Sequence, residues 1–516
     1  MQKTLFVVSA EMNTEPVGIH KAILDRVRVL NTKDYKPVLL TTDFKKDYKR
    51  VERELHATGK LHLKVPILNL YNYYCEKFSS STISPKAKEH FERNREKFEG
   101  DYWVEDGGNH ARYFDNGRYV KYKRWNENGT LMVVDYFDEN RVRICREEFH
   151  PDGYKAKEII YHPSNNKRNQ ENYYTPDGFC YLTYWFNYTT GGQQRAFLFD
   201  PKFPKAIDFK NRAELQSYWL EELCRLEVVR PVMISDGMMI SERVVNVDEK
   251  LVDKVYVIHS GHLTSPFTLG SPVRKSLQPI ISAIPKGFAT VVMTDAQRAD
   301  LHSDIGNRGN IHVIPNMIES LGSKDVTRDD KKFVMVTRLA ADKQVDHAIT
   351  AMKKVVEQHP EATLAIYGDG AERDNLQKSI DDLKLSKHIQ LHSYTANIDE
   401  VYGSALATIS TSQFEGLSRA YQEASINGTA TISYDFKYSP AEFIHHDVNG
   451  YLIEADQVEQ LTEAMIAALD DPAHMAKLGA AAKAQAEIVF NEDRYKRKWL
   501  AVLEEAIHHS PKINYI

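Results

Sequence analysis

Cysteine is scarce. The 516 residues contain only Cys75, Cys145, Cys180 and Cys224, with no CxxC pair and no metal-ligand spacing. That excludes a disulfide framework, and free thiols in a reducing compartment are expected. Long hydrophobic runs are also missing: nothing approaches the ~20 apolar residues that span a bilayer. The opening "MQKTLFVVSAEMN" is too short in its apolar part for a signal peptide and has no small-residue cleavage site. A cytoplasmic protein is expected, with at most peripheral contact at the inner face of a membrane. Charge of one sign is lacking as well. Lys and Arg number 67 against 72 Asp and Glu, a net charge of −5, which argues against a nucleic-acid partner.

What is present is a soluble globular balance, 42% hydrophobic and 27% charged, in a chain long enough for two or three domains. Residues 1–71 read as the start of a βαβ pattern: "TLFVVSA", then "IHKAILDRVRVL" with apolar residues at helical spacing, then "KPVLLTTD". Residues 72–205 change texture. Short aromatic and β-branched runs alternate with Asn-Gly and Asp-Gly dipeptides, the strongest hairpin signal a sequence carries. An inserted antiparallel β-meander is expected there, entered through a helical stretch at about 85–98. Its basic residues, Arg118, Lys121, Lys123, Arg124, Arg141, Arg143 and Arg146, read either as a solvated sheet face or as a dock for an anionic polymer or a partner subunit.

The α/β texture returns over 206–318 and completes the first domain. A polar linker follows, "ESLGSKDVTRDDKK", and then a second strand–helix series within 319–490. The amphipathic segment in 491–516, "EDRYKRKWLAVLEEAI", is positioned to cross back onto the first domain. The expected fold class is α/β: two doubly wound, Rossmann-like domains, the first carrying an antiparallel β-meander insertion.

The stretch "STSQFEGLSRAYQEASINGTATISYD" holds two carboxylates, Glu415 and Glu423, eight positions apart. "ALATISTS" before it reads as a buried strand. A helix is expected to begin near Leu417 or Ser418 and to stop at Asn427-Gly428. Glu415 then sits in a βα turn at the carboxyl end of the sheet, and Glu423 lies about two turns into the helix, on the order of 10 Å along its axis. The backbone N–H groups from Gly416, Leu417 and Ser418 to Arg419 point into that turn, where a helix N-terminus favours a phosphate. The spacing suits one acid on hexose hydroxyls, one on ribose hydroxyls and a diphosphate between them. Taken alone it equally suits a helix-dipole partner and a surface acid.

Other residues support the sharper reading. "VTRLAADKQVDHAI" puts Arg338 at a strand end and Lys343 at a helix start, two cations able to neutralise a departing diphosphate. "IYGDG" reads as a tight turn or a nucleotide contact. Tyr394 reads as a base-stacking ring or a core-edge tyrosine. His259 ends the strand "KVYVIHS", where it faces a crevice or is a satisfied buried histidine, and His262 follows three positions later. No third ligand at suitable spacing supports a metal. Gly18, where the first helix begins, is a phosphate-approach glycine or a plain turn.

These motifs together resemble the retaining glycosyltransferases of family 4, which have the GT-B fold. The phrases "TSQFEGLS", "FKYSPAEFI" and "NGYLIE", with the β insertion, are similar to the wall teichoic acid α-glycosyltransferases and to the enzymes that glycosylate serine-rich surface proteins. The resemblance implies a UDP-sugar donor, retention of configuration and no metal or other cofactor. It implies that Arg338 and Lys343 bind the diphosphate, Glu423 the ribose, Tyr394 the uracil, Glu415 the hexose, and His259 the hexose from the opposite domain. The first loop departs from the family in having one glycine, Gly18, where a Gly-Gly pair is common. The expected acceptor is an anionic polyol-phosphate polymer, with a serine-rich protein as the alternative and a non-catalytic binding or chaperone subunit as a third reading. Homo-oligomers through the insertion are expected.

Overall fold

The computed structural model describes residues 2–16, 18–80, 82–318, 326–395 and 397–509. By contact the chain forms two units. The first comprises Met1–Pro16, Lys33–Met233 and Glu242–Val252; the second comprises Val17–Thr32, Ile234–Ser241 and everything from Asp253 onward.

In the first unit, the strands Lys3–Ser9, Tyr35–Thr41 and Ile67–Asn69 pair in parallel. The first of them is buried over Thr4–Ser9, as a strand covered on both faces must be. Ten antiparallel strands, from Trp103–Asp106 to Ile207–Phe209, then run as one up-and-down meander in chain order. The last of these strands lies past the boundary expected at 205. The helix Pro85–Arg95, started by the Ser84 cap, leads into the sheet. A tyrosine cluster gives the meander its core. Tyr71 and Tyr173 lie 4.7 Å apart, the Tyr71 and Tyr184 hydroxyls are 3.3 Å apart, and Arg212 stacks on Tyr184 at 4.5 Å.

Many of the basic residues on the insertion's strands are already engaged. Lys121 and Lys123 are buried and both donate to Glu99. Arg146 makes a two-bond pair with Asp135 at 2.7 and 2.8 Å, and Arg143 lies 3.7 Å from the same carboxylate. Arg118 bridges Asp115 and Glu139. Strand alternation explains the inward pair: positions 121 and 123 share the face that turns toward the segment carrying Asn94, Glu96 and Glu99, two of whose carbonyls also accept from Lys123. Five of these seven basic residues, read either as a solvated face or as a dock, are therefore paired with carboxylates within the insertion.

In the second unit, Asp253–Ile258, Ala289–Val292 and Ile311–Val313 pair in parallel. The helix Glu492–His509 packs on the first two of these strands, and Lys498 donates to the Val313 carbonyl at 2.8 Å. A six-stranded parallel sheet follows. Its central strand, Asp329–Val336, lies between Thr363–Tyr367 and Ala405–Ser410, with Ile389–His392 outside the former and Ala430–Asp435 and Gly450–Glu454 outside the latter. The strand begins inside the segment expected to be linker. Residues 319–325 of that segment lie outside the described residues.

Candidate active site

The strand order of the six-stranded sheet creates the site. From Asp329–Val336 the chain builds outward to one side for two strands, then returns to lay Ala405–Ser410 on the other side. The region outside the carboxyl ends of these two neighbours is where open α/β sheets bind ligands. Arg338 and Lys343 ride on the loop after the first strand, and Glu415 rides on the loop after the second.

The two loops are spliced together. Lys343 Nζ donates to Glu415 Oε1 at 2.5 Å and lies 3.3 Å from Asp342 Oδ2. Thr411 Oγ1 donates to the carbonyls of Lys343 and Gln344 at 2.8 and 2.9 Å. The Gln413 amide donates to the Asp342 carbonyl at 2.9 Å. A short 3₁₀ turn, Ala341–Lys343, and the left-handed Gln344 aim the lysine inward before the helix Val345–Gln358 begins. The two cations differ. The Lys343 side chain is 6% exposed, whereas Arg338 is 73% exposed and 3.6 Å from Asp342.

The glycines of "IYGDG" have a defined task. A Cβ on Gly368 would lie 1.8 Å from the Thr337 carbonyl oxygen, and one on Gly370 would lie 2.1 Å from that of Leu339. They let the neighbouring turn press against the Arg338 loop, and the Leu339 amide donates to the Asp369 carbonyl at 3.0 Å. The Asp369 carboxylate accepts from the Tyr394 amide at 3.3 Å. The Tyr394 ring is 54% exposed at the carboxyl end of the third strand, so it is not a core-edge residue.

Glu415 is held through its own backbone. Its amide donates to the Lys437 carbonyl at 3.1 Å, and its carbonyl accepts from the Tyr438 amide at 3.0 Å. The helix begins at Arg419, one or two residues later than expected, because Ser418 takes the cap and accepts from the Tyr421 amide. The Ser418 amide donates to Ser439 Oγ at 3.4 Å, and Leu417 is buried. Glu423 is 16% exposed and accepts from Arg419 Nε at 3.2 Å. Burial raises its carboxyl above the usual range, against the opposing pull of Arg419.

His259 meets this constellation by direct backbone contact. A Cβ on Gly416 would lie 2.2 Å from the His259 carbonyl oxygen, so only glycine fits there. The His259 ring places Nε2 2.5 Å from Asp236 Oδ1, and the buried Arg26 pairs with the other carboxylate oxygen. Arg26 in turn donates to Tyr495 Oη at 3.2 Å and stacks on Trp499 at 4.5 Å. Burial, then the Arg26 guanidinium, push His259 down to about 3, so it is neutral. His262 is fully buried, stacked on Tyr438 at 5.5 Å and in hydrogen-bond contact with its hydroxyl at 3.2 Å; it serves the core. Gly18 precedes the helix Ile19–Val29 with φ 53°, and the space where a Cβ would stand is open.

Several residues escaped the sequence reading. Asp236 ends the strand of "RPVMISDG", and a carboxylate at the end of an apolar run was the available signal. Arg26 looked like any helix arginine. Arg274, in the loop that follows His259, stacks 4.0 Å above the Phe414 ring, next to Glu415; nothing local in the sequence marks it. Among the described residues no cluster of three or more His, Cys, Asp or Glu side chains could hold a metal ion.

Residues 318–485 match the model for glycosyl transferases group 1. That match covers the six-stranded sheet and its switch point, and with the two-sheet α/β architecture it makes the fold GT-B-like, with a second half similar to the group 1 glycosyl transferases. The poly(ribitol-phosphate) alpha-N-acetylglucosaminyltransferase of Staphylococcus aureus is 25% identical over 500 residues, 96% of this chain and 99% of that protein. The poly(glycerol-phosphate) alpha-glucosyltransferase of Bacillus subtilis is 28% identical over 385 residues, 73% of this chain and 56% of that protein. The crystal structure of TarM superposes with a TM-score of 0.85 at 24% identity, covering 97% of this chain and 99% of that one. The pneumococcal O-GlcNAc transferase GtfA, solved with UDP and GlcNAc, superposes with a TM-score of 0.77 at 19% identity, covering 98% and 99%. No helix among the described residues is long and apolar enough to cross a membrane.

Proposed function

We propose that the protein moves glucose or N-acetylglucosamine from a UDP-sugar, with retention of configuration, to a hydroxyl of a polyol-phosphate polymer of the teichoic acid type. The observation that carries the reading is the coupling of Lys343 to Glu415 across the switch point. A cation for the leaving diphosphate and an acid for the hexose hydroxyls then stand beside each other. Arg338 adds a second, exposed cation, and the Gly416–Arg419 turn adds a helix N-terminus. Tyr394 offers an exposed ring to the base, Glu423 meets the ribose, Gly18 gives the diphosphate room, and neutral His259 meets the hexose from the first Rossmann half.

The polymer is preferred to a serine-rich protein because the S. aureus polymer enzyme matches 96% of the chain. The GtfA subunit of Streptococcus gordonii, named as acting on a peptide, matches 77%. On this reading no metal is required, since the cations and the helix end supply the positive charge. Neither glutamate of the pair stands free as a covalent nucleophile: Glu415 is bound to Lys343 and Glu423 to Arg419. The acceptor hydroxyl then attacks the face that the diphosphate leaves, and the departing phosphate takes its proton. The reaction runs in the cytoplasm, in peripheral contact with the membrane. The exposed edge strand Trp103–Asp106, whose Trp103 is 80% exposed, suits self-association through the insertion.

The test incubates purified protein and chelator with UDP-glucose or UDP-N-acetylglucosamine and with poly(glycerol phosphate), poly(ribitol phosphate) or a serine-rich peptide. Transfer to a polymer, with an α linkage by proton NMR, is expected. Transfer to the peptide alone would refute the acceptor. Activity abolished by chelator and restored by a divalent cation would refute the metal-free reading.

A further inference from the structure

A polymeric polyol-phosphate acceptor raises an electrostatic difficulty. Such a chain cannot bring a hydroxyl to the anomeric carbon without also bringing a phosphodiester that lies only a few bonds away. That phosphate arrives beside a leaving diphosphate, and like charges at such range repel strongly in a half-buried site. A further cation is needed, and the two already assigned are occupied. Lys343 is shared by Glu415 and Asp342, and Arg338 faces Asp342. The insertion offers little help, because most of its lysines and arginines are paired internally.

Arg274 fits the requirement. Its guanidinium lies 4.0 Å above the ring of Phe414, the residue before Glu415, and 6.0 Å from the ring of Phe267. Nε donates to the Leu263 carbonyl at 3.1 Å, which fixes the plane of the group. The two terminal nitrogens have no hydrogen-bond partner among the described residues, the Asp342 carboxylate acts on the group only through space, and the residue is half-buried. A flat guanidinium, stacked on an aromatic face with its outer fork open, is the geometry that takes a phosphate through two parallel hydrogen bonds. The loop that carries it also carries His259, so it belongs to the half of the fold opposite the diphosphate cations.

We infer, resting on the polymer reading of the acceptor, that Arg274 binds the acceptor's phosphodiester next to the attacking hydroxyl and so selects a polyol-phosphate over a neutral or peptide acceptor. The test compares wild type, Arg274→Gln and Arg274→Lys on two acceptors, glycerol phosphate oligomers and a neutral glycerol glycoside. UDP affinity by calorimetry and UDP-sugar hydrolysis without acceptor serve as folding and donor-site controls. Arg274→Gln is expected to raise the KM for the phosphorylated acceptor by roughly ten- to a hundredfold, the size of a hydrogen bond to a charged group. The neutral acceptor, UDP affinity and hydrolysis stay near wild type, and Arg274→Lys recovers part of the loss. An equal loss on both acceptors would overturn the inference and leave Arg274 as packing for Phe414. A loss of UDP affinity would overturn it in favour of a donor role. A wild type indifferent to acceptor phosphate would sink the polymer reading itself, and this assignment with it.

Discussion

Gly416→Ala isolates the contact on which the site's geometry turns. The added Cβ would stand 2.2 Å from the His259 carbonyl oxygen and 2.6 Å from its carbon. A carbon resting on a carbonyl oxygen needs about 3.3 Å, so the two backbones must part by roughly 1 Å. Neither side yields readily. Glu415 is held by paired backbone bonds to Lys437 and Tyr438, and His259 is tied to Asp236, which is itself locked to buried Arg26. Overpacking of this kind costs about 1–3 kcal/mol of stability. A 1 Å displacement of positioning groups costs on the order of 100-fold in rate. The assay is kcat at saturating UDP-sugar and acceptor, with thermal unfolding and UDP calorimetry beside it. The expected result is a roughly hundredfold lower kcat, a modest loss of Tm and near-normal UDP affinity, since Lys343 is untouched. Gly261→Ala is the matched control: its added Cβ would meet Glu415, Phe414 and Tyr438 atoms at an ordinary 3.8 Å. Wild-type kcat in Gly416→Ala, or equal damage from both variants, would refute the reasoning.

Lys343→Ala and Arg338→Ala should each lower turnover by ~100-fold or more. Only Lys343→Ala should also lower Tm, because it strips Glu415 of its partner; full turnover in either variant would remove that residue from the site. Glu415→Gln frees Lys343 from a competing carboxylate, so UDP alone should bind about tenfold more tightly while transfer falls about a hundredfold; weaker UDP binding by calorimetry would contradict this. His259, held down to about 3 from an ordinary 6.5, is neutral in the native state, so the unfolded chain takes its proton first as pH falls. Its stabilising contribution is therefore present above pH 6.5 and is lost between 6.5 and about 3. His259→Gln should flatten that limb of the Tm–pH curve, and an unchanged limb would assign it elsewhere. Trp103→Glu, placing a charge on the exposed edge strand, should shift sedimentation toward the monomer; an unchanged profile would separate assembly from that edge.

The sequence by itself determined the α/β alternation, the hairpin texture of the insertion and the positions of Glu415, Glu423, Arg338, Lys343 and Tyr394. These follow from local rules: apolar runs bounded by turn residues, caps, and charged residues at strand ends. Only the tertiary structure decided which charges are spent and which are open. Lys121, Lys123 and Arg146 look available in the chain but are neutralised by Glu99 and Asp135, partners 11 to 24 positions away. Arg274, unremarkable in sequence, lies over Phe414, 140 positions on, and keeps an open fork. Asp236 and Arg26 become the support of His259 because three separate segments meet in one buried place. Local pattern fixes where a side chain starts and which element carries it. Whether its charge is neutralised depends on long-range packing and burial, which no short window of residues encodes.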